Sequence, residues 1–437
     1  MGIASENLYQ EGVRIPGVKL LSRGERNDAL METLAANVRA PDDLLGDLAA
    51  QVAACQRGAD GIQRLLDRHG ADTFTRINAQ LRTYSERAMR ATIATLPDGE
   101  YRVEERFEDD GLGGEGVHIC LRLTIAGDQA LVDFHGTDAQ VQSAINVPVN
   151  LTKACVYVAF RSMLQEDAPA NAGLTAPVTV RAPTGSALNP EFPGAVGARG
   201  MMMWRVIDMV FLALTQADPS RVYAAGEGGM NLLVYAPDDV ASGQQMLVDI
   251  YAGGWGARPS LDGIEGVTPM AAGGATRSLP AEMIERECNV RLEGFGFVPD
   301  TGGAGEYRGA LSVFRTWRFT APGRAMLRNC RVSTVPYGLA GGADGTSFGA
   351  ELRDATGTHA LPPLMMIDEA VADGTVLHHV QPGGGGYGDP KRRDPVRVLE
   401  DVLDEKLTRA YARDVYGVVI TDVGTIDAAE TSRLRQS

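Results

Sequence analysis

The chain has 437 residues, 44% of them hydrophobic and 22% charged, which suits a globular protein large enough for two or more cores. Its formal net charge of −15 argues against nucleic acid and anionic membrane surfaces as partners. No apolar run approaches the ~18 residues of a membrane span. The opening MGIASENLYQ lacks the basic and apolar regions of a signal peptide, so a cytoplasmic location is expected.

Residues 1–24 read as extended, with turn chemistry at Ile15-Pro16-Gly17. A polar helix is predicted over about Glu25 to Val38. Then Leu45, Leu48, Val52, Cys55, Ala59, Ile62, Leu66 and His69 recur alternately three and four apart. That heptad seam predicts one long helix. Pro41 suits its first turn and Gly70 its left-handed end. Asp72 can cap a second helix, with Phe74, Ile77, Leu81, Tyr84 and Ala88 on one edge. The pair predicts an antiparallel hairpin that buries its seam within itself or against a neighbour. Gly58 and Gly61 lie inside the first helix; close approach of another backbone or a local break would each explain them.

From Tyr101 the period becomes alternating. YRVEERFE, VHICLRLTIAG and DQALVDFHG predict three antiparallel strands. LTKACVYVAFRSML predicts a helix, VTVRAP a strand, and Met201 to Gln216 a helix with a broad apolar face. Beyond Arg221 come strands, MNLLVYAP, QQMLVDIYAGG, NVRLEGFGF, ALSVFRTWRFT and AMLRNCRVS, separated by glycine loops; the tail from Asp394 is helical. The predicted fold class is α+β: an N-terminal helical hairpin followed by a β-rich, glycine-rich body with interspersed helices. Four segments are expected: 1–100 extended and hairpin, 101–225 mixed, 226–390 β-rich with glycine loops, and 391–437 a helical tail.

Five scattered cysteines without a C-x-x-C pair predict reduced thiols, most of them in the core. GLGGEG, from Gly111 to Gly116, has dinucleotide-type spacing. An acidic loop precedes it and a strand follows, so a hairpin loop is expected. Gly345 to Gly349 matches G-x-S-x-G, but ELRDATG after it reads as a turn, so no nucleophile elbow is expected. No phosphate loop of the G-x-x-x-x-G-K-[ST] type occurs. His135, between Asp133 and Asp138, ends a strand. The two carboxylates would fit it for proton transfer or metal ligation, or would only cap local amides. His378 and His379 alternate across a strand, so one of them can face a given site. Glu282, Glu285 and Arg286 share a helical face; Glu285 reads either as a carboxylate aimed into a cleft or as part of a salt-bridged face. DTGGAGEYRG and QPGGGGYGD are glycine-dense. Their amides would cradle an anion or carbonyl oxygen, or they are packed corners where only glycine fits.

NVRAPDDLLGDLAAQ resembles the signature of the hydantoinase B/oxoprolinase family. EGVRIPGVKL precedes it, and DFHGTDAQVQSAINVP, APTGSALNPEFPGAVGA, DTGGAGEYRGAL, VPYGLAGGADG, QPGGGGYGDP and RDPVRVLEDV follow in the family's order. The resemblance implies a B-type subunit that works with an actin-like A-type partner. That partner uses ATP to phosphorylate a carbonyl oxygen of a cyclic amide, and a divalent metal assists. Related ketone carboxylases and a scaffold role are the implied alternatives. The family's metal motifs, NDPYxGGxHxxD and an AHHxDIGG-like segment, do not occur in these residues. The expectation is that roughly the first quarter of a typical B-type chain is on another chain, truncated or lost, and that the assembly is a hetero-oligomer. By these patterns Asp133, His135 and Glu285 are the candidate catalytic residues, and Asn146, Tyr307, Arg308, Gly384, Gly385 and Tyr387 the candidate substrate-binding residues. No metal ligand is assigned.

Overall fold

The computed structural model describes residues 5–38, 40–107, 109–165, 167–229, 231–239, 245–251, 253–268 and 278–436. A small hairpin, β1 (Leu21–Ser22) and β2 (Glu25–Arg26), precedes α1 (Asp28–Ala36). The two long helices follow as predicted, α2 (Pro41–His69) and α3 (Ala71–Ile93). Their seam is not buried as expected. No residue of α2 is buried, and in α3 only Ser85, Met89 and Ile93 are, at the end that meets the body. Ile62, Leu65, Ile77 and Leu81 remain 41–51% exposed.

Helix α2 also runs unbroken through Gly58 and Gly61. A side chain at Gly58 would meet nothing within 4 Å, and at Gly61 only the end of Arg64 at 3.8 Å. Neither glycine is required by this chain's own packing. Gly58→Ala and Gly61→Ala should each raise the stability of α2 by up to about 1 kcal/mol. Slower amide hydrogen exchange across 50–65 would show it; faster exchange would contradict it.

The body holds three sheets. The first contains β3 (Gly99–Arg106), β4 (His118–Ala126) and β5 (Gln129–Asp133), antiparallel as predicted, with β6 (Val178–Arg181) parallel to β5. Its inner face alternates Ile119, Leu121, Leu123 and Ile125 into the core. Helices α4 (Val149–Ser162) and α5 (Gly200–Ala217) cover that face. The second sheet orders β14 (Met366–Val371), β11 (Gly323–Arg328), β7 (Leu232–Pro237) and β8 (Leu247–Ile250). The third orders β13 (Gly357–Ala360), β12 (Gly349–Asp354), β15 (Val376–Val380), β10 (Ser312–Phe319) and β9 (Val290–Val298). These two share one core. Leu233, Tyr235 and Leu247 of the second meet Val313, Trp317 and Phe319 of the third, with Ile284 of α6 (Ala281–Glu287) at the edge. The ELRDATG stretch, expected as a turn, is strand β12 and the tip of its hairpin with β13. The tail packs α7 (Pro395–Leu403) and α8 (Arg409–Asp414) around Val398, Ala412 and Tyr416, and α9 (Ala428–Gln436) closes it.

The glycine loops form a knot of backbone on backbone. Gly384 N–H donates to Ala310 O at 2.9 Å, Gly385 N–H to Ala225 O at 2.9 Å, and Gly303 N–H to Gly384 O at 2.8 Å. A Cβ on Gly384 would lie 2.3 Å from Trp255 O, and one on Gly385 2.1 Å from Tyr337 O. Of the two readings open from the sequence, the packed corner describes these loops.

Candidate functional site

Polar side chains inside a hydrophobic body need partners, because an unsatisfied buried group costs roughly 1–3 kcal/mol. Several described groups depart from that rule, and some of them lie in one buried polar seam. It runs from α5, past the segment after Tyr223, to the ends of β8 and β15.

At the α5 end, the Arg205 guanidinium is 1% exposed and ion-paired with Glu105 of β3. One turn on, Asp208 pairs with Arg331, and Tyr337 donates to the Asp208 carbonyl at 2.8 Å. Burial pushes the Asp208 carboxyl up to about 6, opposed by Arg331. Arg331 has φ of 53° and lies across Gly228, whose own φ is +71°. A Cβ there would meet the guanidinium at 2.3 Å. That is why glycine is needed beside Glu227.

Glu227 is the centre of the seam. It is 1% exposed, and its backbone N–H donates to Gly254 O at 3.0 Å. Burial drives its carboxyl up to about 8, against the Gly253 backbone, Asn231 and Arg331, which favour the charged form. At neutral pH Glu227 is therefore a neutral carboxylic acid. Among the described residues its Oε2 has no hydrogen-bond partner. A Cβ on Gly253 would fall 1.7 Å from that oxygen and 2.7 Å from Gln381 Oε1, so Gly253 lets the two side chains converge. Gln381 donates through Nε2 to Tyr251 O at 2.8 Å, and its Oε1 is also unpartnered.

His379 closes the seam. It is fully buried on β15, while its neighbour His378 faces the other way and meets Thr316 Oγ1 at 2.8 Å. Burial, with His378 nearby, pushes the His379 imidazole down to about 3, so it is neutral. Burial also raises the Tyr251 phenol well above its usual range. The Tyr251 hydroxyl hydrogen-bonds His379 Nδ1, and Nε2 has no partner among the described residues. Among the described residues, Glu227 Oε2, Gln381 Oε1 and His379 Nε2 are three buried polar atoms without a hydrogen-bond partner. A carboxylic acid held neutral in a dry site can donate a proton or hydrogen-bond a developing oxyanion.

The residues predicted from sequence fall elsewhere. Asp133 and His135 are together at the end of β5. Asp133 takes Arg122 at 2.9 Å and the His135 amide at 3.0 Å, and Asp138 accepts from the His118 amide at 2.8 Å. The aspartates cap amides here. Glu285 accepts from Leu292 N at 3.1 Å and ties α6 to β9. Buried Asn146 accepts the Val141 amide and donates to the carbonyls of Val141, Ser143 and Ala195. Tyr307 and Tyr387 exchange backbone hydrogen bonds at 2.9 and 3.0 Å within the knot that holds Gly384 and Gly385. Arg308 is 2% exposed and ion-paired with Glu265 at 2.7 Å. Glu227 belongs to none of the motifs. Its one signal in the sequence is a lone carboxylate in AAGEGGMNLLVY, an otherwise apolar and glycine run.

The GLGGEG loop joins β3 to β4, as expected. Asp110 Oδ1 accepts the amides of Leu112 and Gly114, at 2.9 and 2.8 Å, that a phosphate would otherwise need. None of the five cysteines is in a disulfide, and Cys155, Cys288 and Cys330 are buried.

A match to the hydantoinase B/oxoprolinase family covers residues 1–390. A protein named as the B component of a D-/L-hydantoinase in Pseudomonas sp. (strain NS671) is 32% identical over 98% of this chain and 74% of its own length. The beta chain of caprolactamase from Pseudomonas jessenii is 31% identical over 98% of this chain and 75% of its own length. The crystal structure of ATP-dependent caprolactamase from that organism superimposes with a TM-score of 0.83 at 30% identity, covering 98% of this chain and 76% of that one. The delta chain of acetophenone carboxylase from Aromatoleum aromaticum is 26% identical, covering 100% of this chain and 70% of its own length.

Proposed function

This chain belongs to the hydantoinase B/oxoprolinase family, and from that premise we propose that it is a B-type subunit of an ATP-dependent hydrolase of cyclic amides, assembled with an A-type partner that has an actin-like ATP site. The partner uses ATP to phosphorylate the amide oxygen of the ring. Water then adds to the phosphorylated carbon, the ring C–N bond breaks as Glu227, neutral at the working pH, delivers its proton to the departing nitrogen, and a second water hydrolyses the acyl phosphate to a carboxylate and inorganic phosphate. His379 and Gln381 orient the amide through Nε2 and Oε1. The single observation that carries this reading is the buried Glu227 carboxyl, pushed up to about 8 with an oxygen left open. An acid in that range is matched to proton donation near neutrality.

The resemblance also implies a divalent metal, which supplies electrophilic stabilisation of the activated carbonyl when bound. The described donors around Glu227 are one carboxylate, one amide oxygen and one imidazole with Nδ1 engaged by Tyr251. That set does not make a cage for a divalent ion, and no step here passes through one. A metal in the assembled complex would take its ligands from elsewhere.

The hydrolase reading is preferred to the ketone carboxylase because two relatives with hydrolase names stand at 31–32% identity and the carboxylase relative at 26%. The test is to co-express the chain with its A-type partner and supply 5-oxoproline, N-methylhydantoin, ε-caprolactam or acetophenone. ATP-dependent ring opening that is indifferent to bicarbonate is expected. Bicarbonate-dependent carboxylation of the ketone, without ring opening, would replace this reading with the alternative.

A further inference from the structure

The outward face of the first sheet carries a donor set that the proposed hydrolysis does not use. Glu104 on β3 and Cys120 on β4 are directly opposed in the strand register. His118, two residues before Cys120, shares its face. The His118 imidazole lies between the other two, with Nε2 3.4 Å from Glu104 Oε2 and Nδ1 3.6 Å from Cys120 Sγ. One donor atom from each residue falls within 4.8 Å of the others. Ligands around a tetrahedral zinc ion sit about 3.3–3.8 Å apart, given metal–ligand bonds of about 2.0–2.3 Å. The half-exposed imidazole needs only to rotate one nitrogen toward the carboxylate and thiol.

The surroundings hold this arrangement in place. The His118 amide is fixed by Asp138 Oδ2 at 2.8 Å. The Cys120 amide donates to Thr137 Oγ1 at 3.2 Å. Gly136 has φ of +99°, and a Cβ there would lie 3.2 Å from Cys120 Sγ, so only glycine leaves the sulfur this room. Arg102 and Arg122, which line the same cleft, are occupied: Arg102 by Glu100, and Arg122 by Asp133 and Glu100. His135 stands on the rim of the cleft.

We propose that Glu104, His118 and Cys120 form a binding site for one borderline-soft divalent cation of the zinc class, with the fourth position open to water or His135. The mixed sulfur, nitrogen and carboxylate set suits zinc and disfavours magnesium or calcium. Binding forms a metal–thiolate bond, and the Cys120 proton is released to solvent.

The experiment uses the reduced full chain alone, so it is independent of ring opening by the complex. Zn²⁺ and Co²⁺ are titrated into the wild type, Cys120→Ser, His118→Ala and Glu104→Gln. The wild type is expected to bind one equivalent, release a proton, and with Co²⁺ show a thiolate-to-metal charge-transfer absorption. Cys120→Ser should abolish that absorption, and each variant should weaken binding at least tenfold. All three side chains lie on the outward face, so circular dichroism should show the fold unchanged. A Co²⁺ complex without the thiolate absorption, or wild-type affinity in Cys120→Ser, would overturn the assignment.

Discussion

Glu227→Gln should cut turnover of the assembled complex at least ~100-fold on whichever cyclic amide it opens, with KM changed only a few-fold, and yet stabilise the chain above neutral pH. The two effects have opposite signs because they share one cause. The folded protein holds the Glu227 proton up to about pH 8, whereas the unfolded chain loses it near the ordinary value of 4.5. Between those values the native state binds more protons than the unfolded one, so stability falls as pH rises, by about 1.4 kcal/mol per pH unit. The contribution is complete below pH 4.5 and is lost as pH passes through 8.

His379 runs the other way. Its folded value of about 3 lies below the usual 6.5, so its contribution is present above pH 6.5 and is lost as pH falls toward 3. Between pH 4.5 and 6 the Glu227 slope, joined by that of Asp208 with its folded value of about 6, opposes the His379 slope; above 6.5 Glu227 supplies the main slope. Denaturant titrations from pH 5 to 9 should show the wild type weakening above 6.5 and Glu227→Gln holding steady. A variant with full turnover would remove Glu227 from the chemistry. Parallel pH profiles would show that its carboxyl is not held neutral.

The glycine knot carries the second large effect. Gly384→Ala should destabilise the chain by more than about 4 kcal/mol or prevent soluble expression. The new methyl would lie 2.3 Å from the Trp255 carbonyl oxygen and 3.1 Å from Ala310 N, both backbone atoms that cannot step aside. The same change of residue at Gly58 is expected to help, since that position faces open space. Side-by-side chemical denaturation of the two variants measures both signs; similar midpoints would refute the packing account of the knot.

Much of the fold was legible because local periodicity is a local signal. The heptad spacing from Leu45 to His69 and the alternation in VHICLRLTIAG match α2 and β4 closely. The packing of the hairpin was not legible: the apolar seam that suggested burial leaves α2 fully on the surface, since periodicity says which face is apolar and not what covers it. The site was harder still. Asp133 and His135 attracted notice as neighbours in sequence, yet their carboxylate and amide bonds are those of an ordinary turn. Glu227, Gln381 and His379 are separated by up to 154 residues and share no motif.

By itself the sequence determined most of the strands and helices and the family, because each is set by short-range periodicity or by an ordered series of local motifs. The tertiary structure alone decided that a single glutamate would be stripped of water and kept neutral, and that one imidazole of an adjacent pair would be buried. Desolvation depends on what the whole chain brings together around a group, and no stretch of neighbouring residues encodes it.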